Sequence, residues 1–309
     1  MKIGVVSRIG EFPPKKWVEE FEIFGKNGMY VNHLELIVNY PYLGPLYYTK
    51  EDIKLLRKYA KENKLDLILH LLPNQKGLSK TISQKMFDSK EITEEFVKYQ
   101  AELYFSTFNI GSLNKDVREE SKNEIIRTLK MAGDVGAKLI TIHGGSFEKE
   151  KEYKKNLKMS RKTLEEVNPY FKDIKLCVEN IPTIGHANDK IKEFPKTIED
   201  MLYLINGLEN VGICLDVGHA NVSGNVLTFY NNLSKTQKIW NLHLHDNLGD
   251  KDDHLEIRKG NIPFKELFKK LKEDDYKGFL SIELDTWCRK EIEKNERVKA
   301  LKYLRKIDL

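Results

Sequence analysis

The chain has 309 residues, a length that fits two ordinary domains or one large α/β barrel. Apolar residues make up 40% of the chain and charged residues 32%, and the mean hydropathy is −0.53, which excludes intrinsic disorder and collagen-like repeats. The formal net charge of +5 is spread over lysine-rich segments, so nucleic-acid binding is permitted but not demanded.

The chain carries no pattern typical of export or of membrane insertion. No apolar run reaches the ~18 residues of a membrane span, and the opening residues MKIGVVSRIGEF lack the apolar core of a signal peptide. We therefore expect a cytoplasmic protein without a membrane partner. Cys177, Cys214 and Cys288 lie far apart and form no CxxC pair, so we expect reduced thiols in the core.

Short apolar runs alternate with helical patterns along the whole chain. The predicted strands are 2–8, 30–38, 65–72, 138–145, 174–180, 211–219, 239–247 and 278–285. The predicted helices are 13–28, 49–64, 115–136, 151–171, 196–208, 225–235, 262–275 and 291–307. This alternation predicts one α/β domain over 1–309, a (β/α)8 TIM barrel. A doubly wound sheet is the alternative, but nothing like GxGxxG follows the first strand.

One stretch interrupts this rhythm. Residues 73–108, after the third predicted strand, form an insertion longer than an ordinary connection between a strand and a helix. Long connections at that face of a barrel often serve as lids or binding loops. A helical ornament without a role is the other interpretation.

Side chains that ligate metals recur where the predicted strands end. They are His70, His143, Glu179, Asp216, His219, His243, His245 and Glu283, with Asp252 and His254 in the loop after the seventh strand. A single histidine at such a place is usually structural, but in a barrel all these ends converge on one mouth. Imidazoles and carboxylates without thiolates favour a divalent ion such as Zn²⁺, Mn²⁺, Co²⁺ or Mg²⁺. We expect such an ion and no organic cofactor.

Spacing alone does not choose among these side chains. Asp216 and His219 are three residues apart at a strand end, where both can turn toward one centre. His243 and His245 occupy alternate positions and so face the same side of a strand. Either of these two histidines can be a ligand, and the sequence leaves the choice open.

Several segments follow one another in a recognisable order. They are 109–146, VENIPTIG (178–185), LDVGHAN (215–221), HLHDN (243–247), DDHLEIRKGNIPF (252–264) and SIELD (281–285). In order and placement they resemble the xylose isomerase-like TIM-barrel superfamily, which includes sugar isomerases, ketose 3-epimerases, inosose-processing enzymes and endonuclease IV.

The resemblance implies an enzyme with a metal centre formed by Glu179, Asp216, His245 or His243, and Glu283. In a sugar isomerase or epimerase, the ion would chelate a carbonyl and its neighbouring hydroxyl. Glu179 and Glu283 would exchange protons beside that carbonyl, and His219 would assist. The partner would be a small carbohydrate or polyol. This is the function that we expect from the sequence, which indicates no oligomeric state.

The resemblance to endonuclease IV implies a different chemistry, with three zinc ions and a nucleic-acid partner. The chain has a candidate for each ligand: His70, His143, Glu179, Asp216, His219, His243, Asp252, His254 and Glu283. Against this stand Gly144 in place of a proline, the inserted 73–108 segment and a first strand without the glycine- and serine-rich motif. A barrel that binds a metal and a metabolite without catalysis is a third possibility.

Overall fold

Eight parallel strands close into a barrel in the computed structural model, which describes residues 1–7, 31–38, 50–72, 108–185, 190–284 and 294–307. The barrel strands are β1 (Lys2–Ser7), β2 (His33–Val38), β3 (Asp66–Leu71), β4 (Leu139–His143), β6 (Lys175–Glu179), β8 (Val211–Asp216), β9 (Ile239–Leu244) and β10 (Phe279–Ile282). Two short strands, β5 (Gly145–Ser146) and β7 (Glu193–Phe194), form a separate antiparallel pair. The predicted TIM barrel is confirmed.

Helices alternate with the barrel strands along the described parts of the chain. They are α1 (Lys50–Glu62), α2 (Lys115–Val135), α3 (Tyr153–Val167), α4 (Ile198–Ile205), α5 (Val217–Ser223), α6 (Val226–Leu233), α7 (Phe264–Glu273) and α8 (Lys294–Lys306). Their ends carry local signals. The side chain of Asn114 accepts hydrogen bonds at the start of α2, and Gly136 ends that helix at φ 82°. In the described ranges, none of the helices is both long and apolar enough to cross a bilayer.

Several predicted strands end earlier than their apolar patterns suggested; the strand predicted over 278–285, for example, ends at Ile282. The strand predicted over 211–219 ends at Asp216, whose side chain accepts a hydrogen bond from the backbone N–H of His219 and so starts α5. His219 therefore lies on a helix. The strand predicted over 239–247 ends at Leu244. The predicted helix 13–28 and residues 73–107 of the insertion lie outside the described residues, as does Cys288, and the single-domain organisation stays a prediction.

The inside of the barrel changes character along the strands. Below the carboxyl ends of the strands, Ile68, Leu139, Cys177 and Cys214 form a small buried cluster. Because side chains alternate between the faces of a strand, the next inward position lies two residues further on. On β3, β6 and β8 that position holds His70, Glu179 and Asp216. The interior of the barrel thus has an apolar layer, followed by a polar layer at the carboxyl ends of the strands.

Candidate metal centre

The structure brings all the candidate ligands together at the carboxyl ends of the strands, in three clusters, of which the first two share Glu179. The first cluster is His70, His143 and Glu179; the second is Glu179, Asp216, His243 and Glu283; the third is His219, His245, Asp252 and His254. Among the described residues, two further groups could hold an ion: Glu35, His70 and His243, and Glu179, Cys214 and His243. Within each cluster, one ligand atom per residue lies within 4.8 Å of the others. Strand register produces part of this arrangement, since His143 pairs with Glu179 and Asp216 with His243.

Glu179 joins the first two clusters. Its Oε2 lies 3.2 Å from His70 Nε2 and 3.8 Å from His143 Nε2. Its Oε1 lies 3.5 Å from His243 Nδ1, and that nitrogen is 2.9 Å from Glu283 Oε2. One carboxylate therefore faces two groups of candidate ligands with different oxygens.

The third cluster is built by a loop and by α5. Asp252 Oδ2 lies 3.3 Å from His219 Nε2 and 3.1 Å from His254 Nε2. His254 has φ 47°, in the left-handed region that non-glycine residues seldom adopt. Such a conformation persists only where the surroundings hold it, and it is common at functional sites.

Asp246 anchors the loop that carries Asp252 and His254. Its backbone exchanges hydrogen bonds with that of Leu255, at 2.9 and 2.7 Å. Its carboxylate accepts the backbone N–H groups of Arg258 at 2.9 Å and Ile262 at 3.2 Å. The loop is thus fixed to the end of β9 by a buried carboxylate.

Charge and burial act together on these groups. Burial raises the pKa of Glu179, but the nearby His243 and His219 outweigh burial and hold that pKa well below its usual range. Burial lowers the pKa of His243, and the negative charges around it, Glu35 and Glu283 among them, raise that pKa well above its usual value. The same holds for the pKa of His219, beside Asp216 and Asp252. These are groups that a divalent ion would stabilise in place of protons.

The histidines meet a specific requirement of metal ligands. A ligating imidazole offers one nitrogen to the ion and donates its other N–H to an acceptor behind the ring. Acceptors lie behind four of the histidines at these distances: His243 Nε2 to Glu35 Oε1, 2.9 Å; His143 Nδ1 to Glu193 Oε2, 2.6 Å; His219 Nδ1 to Asn180 O, 2.8 Å; His254 Nδ1 to Glu283 O, 3.1 Å. In each case the other nitrogen faces a cluster. These residues therefore fit divalent ions.

The surroundings of His70 also fit a divalent ion. The ring is buried, with 1% of its surface exposed. Neither ring nitrogen makes a hydrogen bond to the part of the chain that the structure describes. Buried polar atoms without partners are rare, and a metal ion is one of the groups that satisfies them.

The structure separates the two histidines between which the sequence could not choose. His243 lies in the second cluster, with Glu179, Asp216 and Glu283, whereas His245 lies in the third. The ring of His245 stacks on that of His254 at 3.8 Å, and its Nε2 lies 3.0 Å from Asp216 Oδ1. This distance fits a hydrogen bond that His245 Nε2 donates to the Asp216 carboxylate and that holds Asp216 in place. The ligand roles themselves stay predictions.

Sequence reasoning missed the two carboxylates behind the histidines, Glu35 and Glu193. Glu35 had a signal, because it is a charged residue in the middle of the apolar run HLELIV, and charged residues are seldom buried without a partner. Glu193 had none, because 50 residues separate it from His143.

Gly218 on α5 allows the helix to lie directly on His245. A Cβ at this position would come within 1.9 Å of the His245 ring. Although alanine favours helices over glycine, we expect Gly218→Ala to destabilise the protein by about 1–3 kcal/mol, because the ring must move. Urea unfolding measures the change.

A matched control is Gly133→Ala on α2, where the nearest atom to the new Cβ is 4.0 Å away. There the helix propensity of alanine acts alone, and we expect a gain of about 0.5–1 kcal/mol. If Gly218→Ala were also stabilising, the close packing of α5 on His245 would be disproved.

Comparison with known proteins gives relatives of two kinds. Over 199 residues, 60% of this chain, the sequence is 32% identical to an uncharacterized protein of Methanocaldococcus jannaschii and spans 65% of that protein's length. It is 29% identical over 195 residues to probable endonuclease 4 of Aquifex aeolicus, covering 58% of this chain and 67% of that protein.

Solved structures show the same fold over nearly the whole chain. The crystal structure of a D-tagatose 3-epimerase-like protein is 25% identical, has a TM-score of 0.73 and covers 99% of this chain and 96% of that chain. Endonuclease IV from Thermus thermophilus, at 16% identity and a TM-score of 0.65, covers 99% and 98% and shows the fold alone. The family described as xylose isomerase-like TIM barrel matches residues 31–307. With this match over most of its length, the chain belongs to the xylose isomerase-like TIM barrel family.

Proposed function

We propose that the chain is a metal-dependent hydrolase of phosphodiesters, with nucleic acid that carries an abasic site as its substrate. The observation that supports this proposal most is the position of Glu179 in both the first and the second cluster, with the third cluster beside them. A single divalent ion coordinates fewer donor groups than these three clusters offer. Neighbouring ions bridged by a carboxylate are typical of enzymes that cleave phosphate esters.

The bound ions would activate a water molecule and stabilise the charge on the leaving oxygen. The chain's own residues would hold the ions and leave one side of the site accessible. Glu179 separates two groups of ligands, and Asp216 both starts α5 and faces the second cluster. The side chains of Glu283, His143 and Asp252 are 12%, 13% and 13% exposed, whereas Glu179 and His243 are at most 1% exposed. We expect the substrate to approach from the exposed side.

A sugar isomerase or epimerase is the second candidate, and one observation favours it. The second cluster alone contains the four residues Glu179, Asp216, His243 and Glu283, a complete donor set for one ion. Glu179 and Glu283 would then move protons beside a carbonyl, and His219 would assist. A small carbohydrate or polyol would be the substrate. The likeness to a D-tagatose 3-epimerase-like protein agrees with this candidate.

Metal content and two activity assays distinguish these candidates. We expect purified protein to carry more than one Zn²⁺ or Mn²⁺ ion per chain by elemental analysis, and to nick a duplex oligonucleotide at an abasic site. The nicking should stop on chelation and return when metal is restored.

The controls are an intact duplex of the same sequence and a panel of ketoses and polyols. One ion per chain, no nicking and conversion of a sugar would replace the hydrolase with the isomerase. Metal binding without turnover in either assay would favour a binding protein.

A further inference from the structure

We infer that Glu35 is a positioning residue that serves two metal ions at once, because its carboxylate lies behind a histidine of the first cluster and a histidine of the second. The inference depends on the metal centre and not on which reaction the centre performs. Glu35 lies in the middle of β2 and is completely buried.

One oxygen of Glu35 faces both rings. Oε1 lies 2.9 Å from His243 Nε2 and 3.6 Å from His70 Nδ1. The opposite nitrogens of these rings face the ligands, with His243 Nδ1 2.9 Å from Glu283 Oε2 and His70 Nε2 3.2 Å from Glu179 Oε2. Each ring thus lies between Glu35 and a different cluster.

The other oxygen of Glu35 is held by a chain of buried hydrogen bonds. Asn241 Nδ2 donates to Glu35 Oε2 at 2.8 Å, and Ser281 Oγ donates to Asn241 Oδ1 at 3.1 Å. Ser281 Oγ also lies 2.8 Å from His33 Nε2. This chain orients the carboxylate, so that Oε1 accepts from His243 and lies near His70 Nδ1.

The chemical consequence concerns which nitrogen carries the proton. A carboxylate only accepts hydrogen bonds, so the nitrogen of His243 that faces Glu35 is the protonated one. The nitrogen that faces Glu283 and Asp216 is then the one at which a metal ion would take the place of the second proton. A carboxylate behind a ligating histidine also makes the imidazole a stronger ligand. A glutamine at position 35 can present an N–H group to the ring and weakens both effects.

His143, His219 and His254 have separate acceptors, and this makes the inference specific. Glu193 lies behind His143 alone, at 2.6 Å. Behind His219 and His254 of the third cluster lie backbone carbonyls. Loss of Glu35 should therefore weaken metal binding at the first and second clusters and leave metal binding at the third unchanged.

The test is metal binding by metal-free protein, with no activity assay. Wild type, Glu35→Gln and Glu193→Gln are titrated with Zn²⁺ against a chelator of known affinity, and with Co²⁺ followed by its visible absorption. For Glu35→Gln we expect two ions to bind about 10–100-fold more weakly and the remaining ion to bind as in wild type. For Glu193→Gln we expect only one ion to weaken. Glu35→Asp, which keeps the charge, provides a second variant should Glu35→Gln fail to fold, and should weaken the same two ions.

Three results would overturn the inference. They are unchanged affinity for every ion in Glu35→Gln, equal weakening of all ions, and a wild-type chain that takes up a single ion. Equal weakening would mean that Glu35 supports the barrel as a whole, and thermal unfolding of the metal-free variants would show that directly. Failure of nicking with the selective pattern intact would reject the proposed hydrolase and leave the role of Glu35 standing.

Discussion

Replacing Glu179 by glutamine is expected to abolish turnover and to cost the protein two of its ions. The side chain is 1% exposed, and its two oxygens face the first and the second cluster separately. Glutamine keeps the shape but loses the charge and one of the two accepting oxygens. A direct ligand should matter more than an outer partner, so we expect the affinity for both ions to fall by more than about 100-fold. Elemental analysis after dialysis and a steady-state assay measure the two effects.

Two further variants delimit this prediction. Glu283→Gln changes the second cluster alone, so we expect it to release one ion and also to lose turnover. Glu209→Gln changes an exposed carboxylate and should alter neither quantity. Wild-type activity in both Glu179→Gln and Glu283→Gln would remove these carboxylates from the reaction. Full metal content in Glu179→Gln would also exclude the bridge.

Removal of the metal ions is expected to lower the stability of the whole barrel. Without ions, the acids Glu179 and Asp216 and the imidazoles around them stay buried and crowded together at the carboxyl ends of the strands. A ligand present at ~1,000 times its dissociation constant stabilises the folded state by about 4 kcal/mol. Such a loss corresponds to a decrease of the melting temperature on the order of 10 °C. Calorimetry with and without chelator, followed by restored metal, measures the decrease.

This stabilisation should depend on pH in a defined direction. The pKa values of His219 and His243 are raised in the metal-free protein, since the acids around them outweigh burial. Their protonated forms add stability that is complete below the unfolded pKa of about 6.5 and is lost as pH rises through the folded value. The ions require the unprotonated forms. The difference between metal-loaded and metal-free protein should therefore shrink from about pH 8 to about pH 5. A melting temperature that does not respond to chelation at the higher pH would contradict the buried metal centre.

The sequence by itself determined the barrel and the region of the site. Alternating apolar runs are local patterns, so the eight barrel strands could be found without knowing which strands pair. A barrel also brings the carboxyl ends of its strands together, so residues as distant as His70 and Glu283 could be assigned to one site.

Tertiary structure decided what depends on orientation and on distant neighbours. His243 and His245 face the same side of β9 by spacing, and only their contacts separate them into different clusters. The apolar pattern predicted His219 on a strand, but Asp216 caps a helix at this point and His219 lies on α5. Glu193 reaches His143 across 50 residues, and Glu35 reaches His243 across 208 residues. Local patterns carry no information on such pairs, because a side-chain contact between distant segments exists only after the barrel has closed.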